Sequence, residues 1–461
     1  MKIVTSEIAQ PTISQKLFPV DLSQTTMEER KNNLLTKMKE HQLDTIFIYA
    51  DREHGSNFEY LTGFIPRFEE ACLVVHSNGS AFLLLGNENT KMGSYSRIAA
   101  EVIHVPYFSL PNQPMEDDAP FTSYLVQAGI HEDSRLGLIG WKNFTTAYQD
   151  NRSLFDLPHF IVSGLEKLVA SPAQLMNYAD LLIGPSDGLR TVNNANEIAH
   201  YEYGAALAGQ CILTTLNRIK LGKTELDLAE TLAASGQPHS VTTICATGDR
   251  FTNAVLYPRN KQVQLGDTFS LTTGYKGGLS SRAAYVAQSP KDLPAAVQDY
   301  EEKIAQPYYQ AFVTWLETIR IGMTGKELFD TIQTILPKEN YHWELNPGHF
   351  TADEEWMASP FCEGSTSILK SGQLFQIDII PKVKGYGGVS CEDGIVLADN
   401  ELRAEIQKEY PEMWERFSKR RDYIINELNI QLSEDILPLN DIVAYYRPFL
   451  LNQNLAFSVK K

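Results

Sequence analysis

The spacing of apolar and polar residues over the first half of the chain is typical of a mixed α/β domain. Residues 27–42 place apolar side chains at helical spacing, and the next segment, Leu43–Ala50, is an apolar run of strand length. Further short apolar runs predict strands at ACLVVHS, SAFLLLG, EVIHVP and RLGLIG. The pattern fades at Gly184–Gly188, whose Gly-Pro-Ser-Asp-Gly composition is typical of a linker. We therefore predict a boundary near residue 187 that separates domains 1–187 and 188–461.

The second domain opens with a long amphipathic helix over Asn196–Ile219. The segment Phe269–Val286 predicts two apolar strands around a Gly-rich turn, and later strands are predicted at LFQIDII and GVSCEDGIVLA. From there to the C-terminus, including residues 436–454, the pattern predicts a mostly helical extension. The alternation of helices and strands in both domains predicts an α/β (α+β) fold class.

Composition and charge narrow the class of partner. The chain has 461 residues, a formal charge of −17 and a pI near 5.1, so neither nucleic acid nor an anionic membrane is the expected partner. Its five cysteines are odd in number and widely spaced, which favours reduced thiols over a disulfide framework. The N-terminal residues lack a signal-peptide core, and no later stretch has the length of a membrane span. We expect a soluble cytoplasmic protein.

An internal repeat lies in the second domain. IKLGKTELDLAETL, from Ile219, matches IRIGMTGKELFDTIQTI, from Ile319, and GDTFSLT, from Gly266, matches GQLFQID, from Gly372. Two matches in the same order predict a duplicated unit of helices and a hairpin. In this comparison Thr272 aligns with Asp378, and Arg282, on the second strand of the first hairpin, is equivalent to Glu392 on the second strand of the second hairpin. One hairpin then carries an Asp and a Glu where its twin carries Thr and Arg.

These motifs resemble peptidase family M24, the pita-bread family of aminopeptidase P, prolidase, methionine aminopeptidase and creatinase. NFEYLTGF resembles the N-terminal domain signature of the prolidase and creatinase branch, and LRTVNNANEIAHYEYGAALAG resembles the helix that opens the catalytic domain. PGHF, FQIDIIP and CEDGIVLAD resemble the later blocks. The resemblance covers almost the whole chain. It implies a creatinase-type N-terminal domain, a pita-bread domain with pseudo-twofold symmetry and a homodimer.

In metal-dependent members of this family, five side chains hold two divalent cations. Carried onto this sequence, these ligand positions fall on Thr272, Arg282, His349, Asp378 and Glu392. Thr is a weak neutral ligand and Arg offers no lone pair, so two of the five do not ligate. Two carboxylates and one guanidinium sum to a charge of −1, against the four positive charges of two divalent ions. The resemblance therefore implies a degenerate dinuclear site and no cofactor, with a single divalent ion at His349, Asp378 and Glu392 left open.

Two further family positions are altered. Val255 falls where the family has a substrate-contacting His, and Trp356 falls where it has a second His. Creatinase works without metal, but the His that it uses lies at the Val255 position.

Several residues remain candidates for function. His349, Asp378 and Glu392 are the candidate catalytic residues, with His349 as acid and base or, alternatively, a hydrogen-bonded pocket residue. Asp378 lies within an apolar strand and requires a partner, for which Arg282 is the natural choice. Alternatively, Arg282 binds a substrate carboxylate as an anion clamp. His54, in the polar loop DREHGSN, is a candidate substrate-binding residue that reaches a partner subunit's pocket, and a solvated loop is the alternative.

Three functions stay open at this point. The first is a diverged relative of Xaa-Pro aminopeptidases and dipeptidases that has lost metallopeptidase activity. The second is a metal-independent, creatinase-like hydrolase of a small C–N substrate. The third is a non-catalytic protein that binds a peptide or metabolite. All three imply a small molecule or short peptide as the partner.

Overall fold

The computed structural model describes residues 1–113, 118–249 and 257–460. The chain divides into two compact units, Leu22–Arg190 and the combination of Met1–Asp21 with Thr191–Lys461. The N-terminal segment therefore belongs with the C-terminal part of the chain. It contains strand β1 (Ile3–Glu7), which pairs antiparallel with the last strand of the protein.

The unit Leu22–Arg190 is a mixed six-stranded sheet with helices. Its sheet has the order β5-β4-β3-β2-β6-β7, and β2 lies between antiparallel β3 and parallel β6. Both β2 and β3 are buried almost throughout, as their apolar runs predict. The elements of this unit are α1 (Gln24–Glu40), β2 (Thr45–Ala50), α2 (Ser56–Thr62), β3 (Ala71–His76), β4 (Ala81–Leu85), β5 (Glu101–His104), α3 (Phe121–Gln127), β6 (Leu136–Ile139), α4 (His159–Glu166), β7 (Leu175–Asn177) and α5 (Asp180–Ile183).

The second unit is built on a seven-stranded sheet. Its strands follow the order β11-β12-β13-β10-β9-β8, and β14 pairs with β13 beside that path. A separate two-stranded sheet joins β1 and β15. The elements are α6 (Ala195–Arg218), α7 (Glu225–Ala229), β8 (Ile244–Thr247), β9 (Thr268–Tyr275), β10 (Gly278–Tyr285), α8 (Gln306–Thr318), α9 (Gly325–Ile335), α10 (Lys338–Tyr341), β11 (His349–Phe350), β12 (Leu374–Ile377), β13 (Ser390–Leu397), α11 (Asn400–Glu409), α12 (Pro411–Asn426), β14 (Ile436–Pro438) and β15 (Leu455–Val459).

The two halves of the repeat share the same local structure. Gly222 and Gly322 both have positive φ, at 82° and 87°, in the turn before a short helix. Two residues later, Thr224 and Thr324 each cap that helix in a capping box. The repeated Gly-x-Thr pattern therefore encodes a turn and a helix start at equivalent places.

The prediction of helix over residues 436–454 is wrong. The chain there forms β14 and a series of turns, and residues 436–450 are buried. Pro438 and Pro448 remove helix-forming N–H groups, and several other backbone groups bond to neighbouring elements. For example, Leu450 donates its N–H to the carbonyl of Tyr285. Burial on all sides explains why this segment has apolar side chains without being a helix.

Among the residues that the structure describes, no helix combines the length and apolarity that crossing a bilayer requires.

Candidate functional site

A row of polar side chains crosses one face of the seven-stranded sheet. The register pairs Thr272 on β9 with Ser281 on β10, and Ser281 with Glu392 on β13. Ile377, at the end of β12, pairs with Asp393, so the next residue, Asp378, comes opposite Glu392. Directly paired residues of a sheet point to the same side. The row therefore reads Thr272, Ser281, Glu392, Asp378 across four neighbouring strands.

The first part of this row is a chain of hydroxyl groups. Thr272 Oγ1 donates to Ser281 Oγ at 3.0 Å, and Ser281 Oγ lies 3.0 Å from Ser390 Oγ. Ser390 Oγ in turn lies 2.9 Å from Glu392 Oε1 and donates to it. Each hydroxyl carries one proton, so a continuous chain runs from Thr272 to Glu392 with every donor used once. All four side chains are buried.

His349 lies at the acidic end of the row. It is fully buried on β11, and its Nδ1 lies 3.0 Å from the carbonyl oxygen of Phe350, to which Nδ1–H donates. Its Nε2 lies 3.2 Å from Glu355 Oε1 and 3.8 Å from Asp378 Oδ2. Neither contact has hydrogen-bond geometry, and Asp378 Oδ1 is likewise buried without a hydrogen-bond partner among the residues that the structure describes. The site thus holds two buried polar atoms whose hydrogen-bonding capacity is unused.

The electrostatics of this cluster favour protons on its carboxyl groups. Burial raises the pKa of Asp378 to about 6, although the charge of His349 opposes this shift. Burial, together with the charge of Asp378, raises the pKa of Glu392 well above its ordinary value. Burial alone would lower the pKa of His349, but Glu355 and Asp378 raise it overall. Close carboxyl groups in a buried site take up protons because the charged forms are poorly solvated and repel one another.

Arg282 does not take part in this row. It pairs with Cys391 in the register and points to the opposite face of the sheet, where Nη2 lies 2.7 Å from Asp393 Oδ2. The predicted salt bridge between Arg282 and Asp378 is therefore wrong. Asp393 also accepts hydrogen bonds from Ser280 and Asn440, so this ion pair is buried and hydrogen-bonded.

The remaining donors of Arg282 bind backbone carbonyls. Its Nε donates to Tyr445 at 2.9 Å and its Nη2 to Ile442 at 2.6 Å, both in the C-terminal segment. Its Nη1 donates to Ser281 and Glu392 at 2.7 and 3.3 Å. All five N–H groups are thus engaged, and none is left for a substrate carboxylate. The arrangement gives no support to Arg282 as an anion clamp and instead makes it an anchor for the C-terminal segment.

The misplacement of Arg282 comes from a slip of one residue in the hairpin register. Tyr275 pairs with Gly278, which leaves Lys276 and Gly277 as a two-residue turn. Counting outward from that turn pairs Thr272 with Ser281, and not with Arg282. A slip of one residue moves a side chain to the other face of the sheet. The turn residues are Lys276 and Gly277, with Gly277 at a φ of 101°, and identifying this turn would have placed Ser281 beside Thr272.

Two more site residues were missed by the sequence analysis. Ser390 lies two positions before Glu392 on β13, so its place on the same face follows from the strand period. Glu355 lies in an irregular loop after β11, where no periodicity exists to place it. Next to it, the Trp356 ring lies 5.1 Å from the His349 ring, at an interplanar angle of 31°. The other altered family position, Val255, lies outside the described residues.

Cys391, on the opposite face of β13, and the candidate substrate-binding residue His54 have identified surroundings. The Cys391 thiol is fully buried, and burial raises its pKa, which disfavours the nucleophilic thiolate. In the unit Leu22–Arg190, His54 Nδ1 lies 3.3 Å from Asp51, and its ring lies 5.2 Å from that of Trp141. The role of His54 in substrate binding stays a prediction.

The arrangement contains donors and acceptors for a polar ligand. Within the described ranges, no group of three or more His, Cys, Asp or Glu side chains has the geometry to hold a metal ion. The face offers hydroxyl groups from Thr272 and Ser281, carboxyl groups from Asp378 and Glu392, and an imidazole from His349. These groups are able to bind a polar or cationic group and to exchange protons with it.

Comparison with protein families identifies both parts of the chain. Residues 199–399 match the metallopeptidase family M24, and residues 30–145 match the creatinase/prolidase N-terminal domain. The first match contains the whole row described above.

Individual relatives are distant. The uncharacterized peptidase YqhT of Bacillus subtilis is 26% identical over 243 residues, which cover 50% of this chain and 65% of that protein, just under two thirds. The uncharacterized peptidase SSP1059 of Staphylococcus saprophyticus is 23% identical over 79% of this chain and 95% of its own.

Solved structures share the fold. The prolidase of Pyrococcus horikoshii superposes with a TM-score of 0.60 at 18% identity, over 80% of this chain and 95% of that one. The Xaa-Pro dipeptidase of Bacillus anthracis gives a TM-score of 0.59 at 18% identity, over 81% and 96%. Residues 199–399 thus match the metallopeptidase family M24, residues 30–145 ahead of them match a creatinase/prolidase N-terminal domain, and the chain shares the fold of solved prolidases and Xaa-Pro dipeptidases.

Proposed function

We propose that this protein keeps the pita-bread site of its family as a polar binding pocket and does not assemble a dinuclear metal centre there. It then lacks the metal-dependent Xaa-Pro peptidase activity expected of a complete site. The observation that carries the proposal is the hydroxyl chain of Thr272, Ser281 and Ser390, which ends on Glu392.

The donor set does not fit a pair of divalent cations. A dinuclear site needs several carboxylates to offset four positive charges, whereas the β9–β10 hairpin contributes only neutral hydroxyls from Thr272 and Ser281. These hydroxyls are hydrogen-bonded to one another and to Ser390. The two remaining carboxyl groups, Asp378 and Glu392, have raised pKa values and favour protons. Each of these features supports a site in which protons and hydroxyls replace metal ions.

Restoring the missing carboxylates tests the proposal. We expect purified wild-type protein loaded with Mn²⁺ to carry no stoichiometric pair of ions and to leave Xaa-Pro dipeptides uncleaved. The double substitution Thr272→Asp with Ser281→Asp adds two carboxylates to the row and is expected to raise Mn²⁺ stoichiometry, measured by elemental analysis after desalting. The matched control is Thr272→Asn with Ser281→Asn, which has the same size without the charge and is expected to behave as wild type. Two ions per wild-type chain together with Xaa-Pro cleavage would refute the proposal.

Metal-independent hydrolysis of a small C–N substrate is the second candidate. The position of His349 favours it, because Nδ1–H is fixed by the Phe350 carbonyl and Nε2 faces the carboxyl groups of Glu355 and Asp378. An imidazole held in this way is oriented to move a proton at Nε2. Against it stands the loss of the second family His at Trp356.

Turnover measurements separate the second candidate from binding alone. If a ligand of the pocket is converted, His349→Gln should abolish the conversion while the ligand still binds. Unchanged turnover in that variant would remove His349 from the mechanism. Binding without any turnover would instead favour the non-catalytic pocket. The expected ligand in either case is a small molecule or short peptide.

A further inference from the structure

A polar cavity is formed by parts of the chain that do not contribute to the sheet face. It has a volume of about 550 Å³ and is bounded by the N-terminal segment Pro11–Lys16 and by one face of α12. Its helix residues recur at helical spacing, at positions 412, 415, 416, 419, 420 and 423. Cavities of this size accommodate small ligands.

The N-terminal wall of the cavity is fixed by hydrogen bonds. The Ser14 backbone N–H donates to Asp441 Oδ2 at 2.7 Å, and its hydroxyl donates to Oδ1 at 2.5 Å. Gln210 donates to the Ser14 carbonyl at 3.1 Å, and Tyr423 donates to the Ala9 carbonyl at 2.8 Å. The cavity is therefore a formed feature of this unit and not a gap beside a loose terminus.

A buried guanidinium lines the cavity with one nitrogen unused. Arg420 is 3% exposed; its Nε lies 2.8 Å from Asp441 Oδ1 and its Nη1 lies 2.7 Å from Glu202 Oε1. Its Nη2 is buried and has no hydrogen-bond partner among the described residues. A buried charged donor left without an acceptor is unfavourable, and an acceptor supplied by a ligand or by an ordered water would remove that cost.

A second guanidinium, which is paired with Glu202, lies beside the first. Arg416 also lines the cavity, and its Nε and Nη2 bind Glu202 at 2.9 and 2.6 Å. Its Nη1 has no acceptor in the part of the chain that the structure describes. Two neighbouring guanidinium groups with unused N–H donors match the planar, two-oxygen geometry of a carboxylate.

The opposite end of the cavity is acidic. Glu412, in the first turn of α12, lines it and is exposed. Eight residues separate Glu412 from Arg420, a distance of about 12 Å along the helix axis, and Arg416 lies halfway. Two or three residues of an extended peptide span about 7–11 Å. The cavity therefore presents a basic centre and an acidic end at the spacing of the two termini of a short peptide.

We propose that this cavity binds a short peptide of two or three residues, with its C-terminal carboxylate at Arg420 and Arg416 and its N-terminal ammonium at Glu412. The lining supports this choice over a polyanion. The charges of the lining cancel when Glu202, which binds Arg420, is counted with it. The four cations are Lys16, Arg416, Lys419 and Arg420, and the four anions are Glu202, Glu412, Glu415 and Asp441. A ligand that carries one charge of each sign keeps that balance.

Trialanine is the probe for this proposal, with titration calorimetry on the full chain. We expect trialanine to bind, its C-terminal amide to bind about tenfold more weakly or worse, and N-acetyl-trialanine to bind several-fold more weakly. Sodium acetate at the same concentration should bind far more weakly than trialanine. An amide that binds as tightly as the free acid, or acetate that binds as tightly as trialanine, would overturn the assignment. No binding by any of the probes would also overturn it and would leave an ordered water as the partner of Arg420.

Variants at the two ends of the cavity locate the bound peptide. Glu412→Gln removes only an exposed charge and should weaken trialanine binding about threefold while leaving N-acetyl-trialanine unaffected. The matched control is Glu401→Gln, the same substitution in the first turn of α11, which does not line the cavity and should change nothing. Arg416→Gln should reduce the preference for the free acid over the amide. If Glu412→Gln and Glu401→Gln behave alike towards both peptides, the peptide does not bind at this cavity.

Discussion

Arg282 lies on the opposite face of the sheet in a buried ion pair with Asp393, so its loss should destabilise the protein by an amount that can be measured. Arg282→Met should keep much of the volume of the side chain while leaving the Asp393 carboxylate buried and unpaired. Breaking a buried ion pair in this way costs about 3–5 kcal/mol of the free energy of unfolding. Four backbone carbonyls that Arg282 now satisfies also lose their donor, so we expect a value near the upper end of that range.

The assay is urea unfolding of wild type and variant, followed by far-ultraviolet circular dichroism. In a thermal melt, a unit of about 290 residues has an unfolding entropy of about 0.6 kcal/mol/K, so a loss of about 4 kcal/mol corresponds to a decrease of roughly 6–7 °C in melting temperature. Adding Asp393→Asn to Arg282→Met removes the unpaired charge and should recover part of the loss, because the two residues are directly coupled. Lys408→Met, an exposed change on α11, is the control and should stay within about 0.5 kcal/mol of wild type.

A small effect of Arg282→Met on stability would contradict the anchoring role of Arg282. A substrate clamp is a residue whose loss weakens ligand binding with little effect on folding. If Arg282→Met shifts the free energy of unfolding by less than about 1 kcal/mol, the anchoring role is wrong.

Three further predictions concern the β9–β10 turn, Asp378 and His54. Gly277→Ala should destabilise the protein by more than about 2 kcal/mol in the same unfolding assay, because φ is +101° and the new Cβ would lie 2.0 Å from the Tyr201 carbonyl oxygen. Gly364→Ala, also at positive φ but with no atom within 4 Å of the new Cβ, should cost less, and equal losses would contradict the close approach at the turn. The pKa of Asp378 is raised to about 6, so the unfolded state ionises first and the free energy of unfolding decreases as pH rises from about 4 through about 6. Asp378→Asn should flatten this decrease in unfolding free energies measured from pH 4.5 to 7.5. An unchanged slope would assign the titration to another group. His54→Ala should lower the affinity for a ligand of the sheet-face site if His54 binds substrate, and calorimetry that shows no change would leave it as a solvated loop residue.

The sequence carried enough information for the fold and for part of the site. Gly222 with Thr224, and Gly322 with Thr324, encode a turn and a capped helix through local backbone preferences, so the repeat was visible without tertiary contacts. His349, Asp378 and Glu392 were found because they lie in motifs that resemble the family. In the structure His349 Nε2 lies 3.8 Å from Asp378 Oδ2, and burial together with the charge of Asp378 raises the pKa of Glu392, so the three residues form one electrostatic cluster.

The face that each polar residue occupies, and the groups that it contacts, are determined by tertiary contacts. The sequence allowed either Ser281 or Arg282 to lie beside Thr272, because a strand pattern does not fix register until the turn is known. It likewise gave no sign that residues 1–21 and 436–459 would pack into one unit, or that Arg282 would bind the carbonyls of Tyr445 and Ile442. Local propensity acts over a few residues, whereas these contacts join positions far apart in the chain. Their partners are chosen by burial and by the need to satisfy every buried polar group.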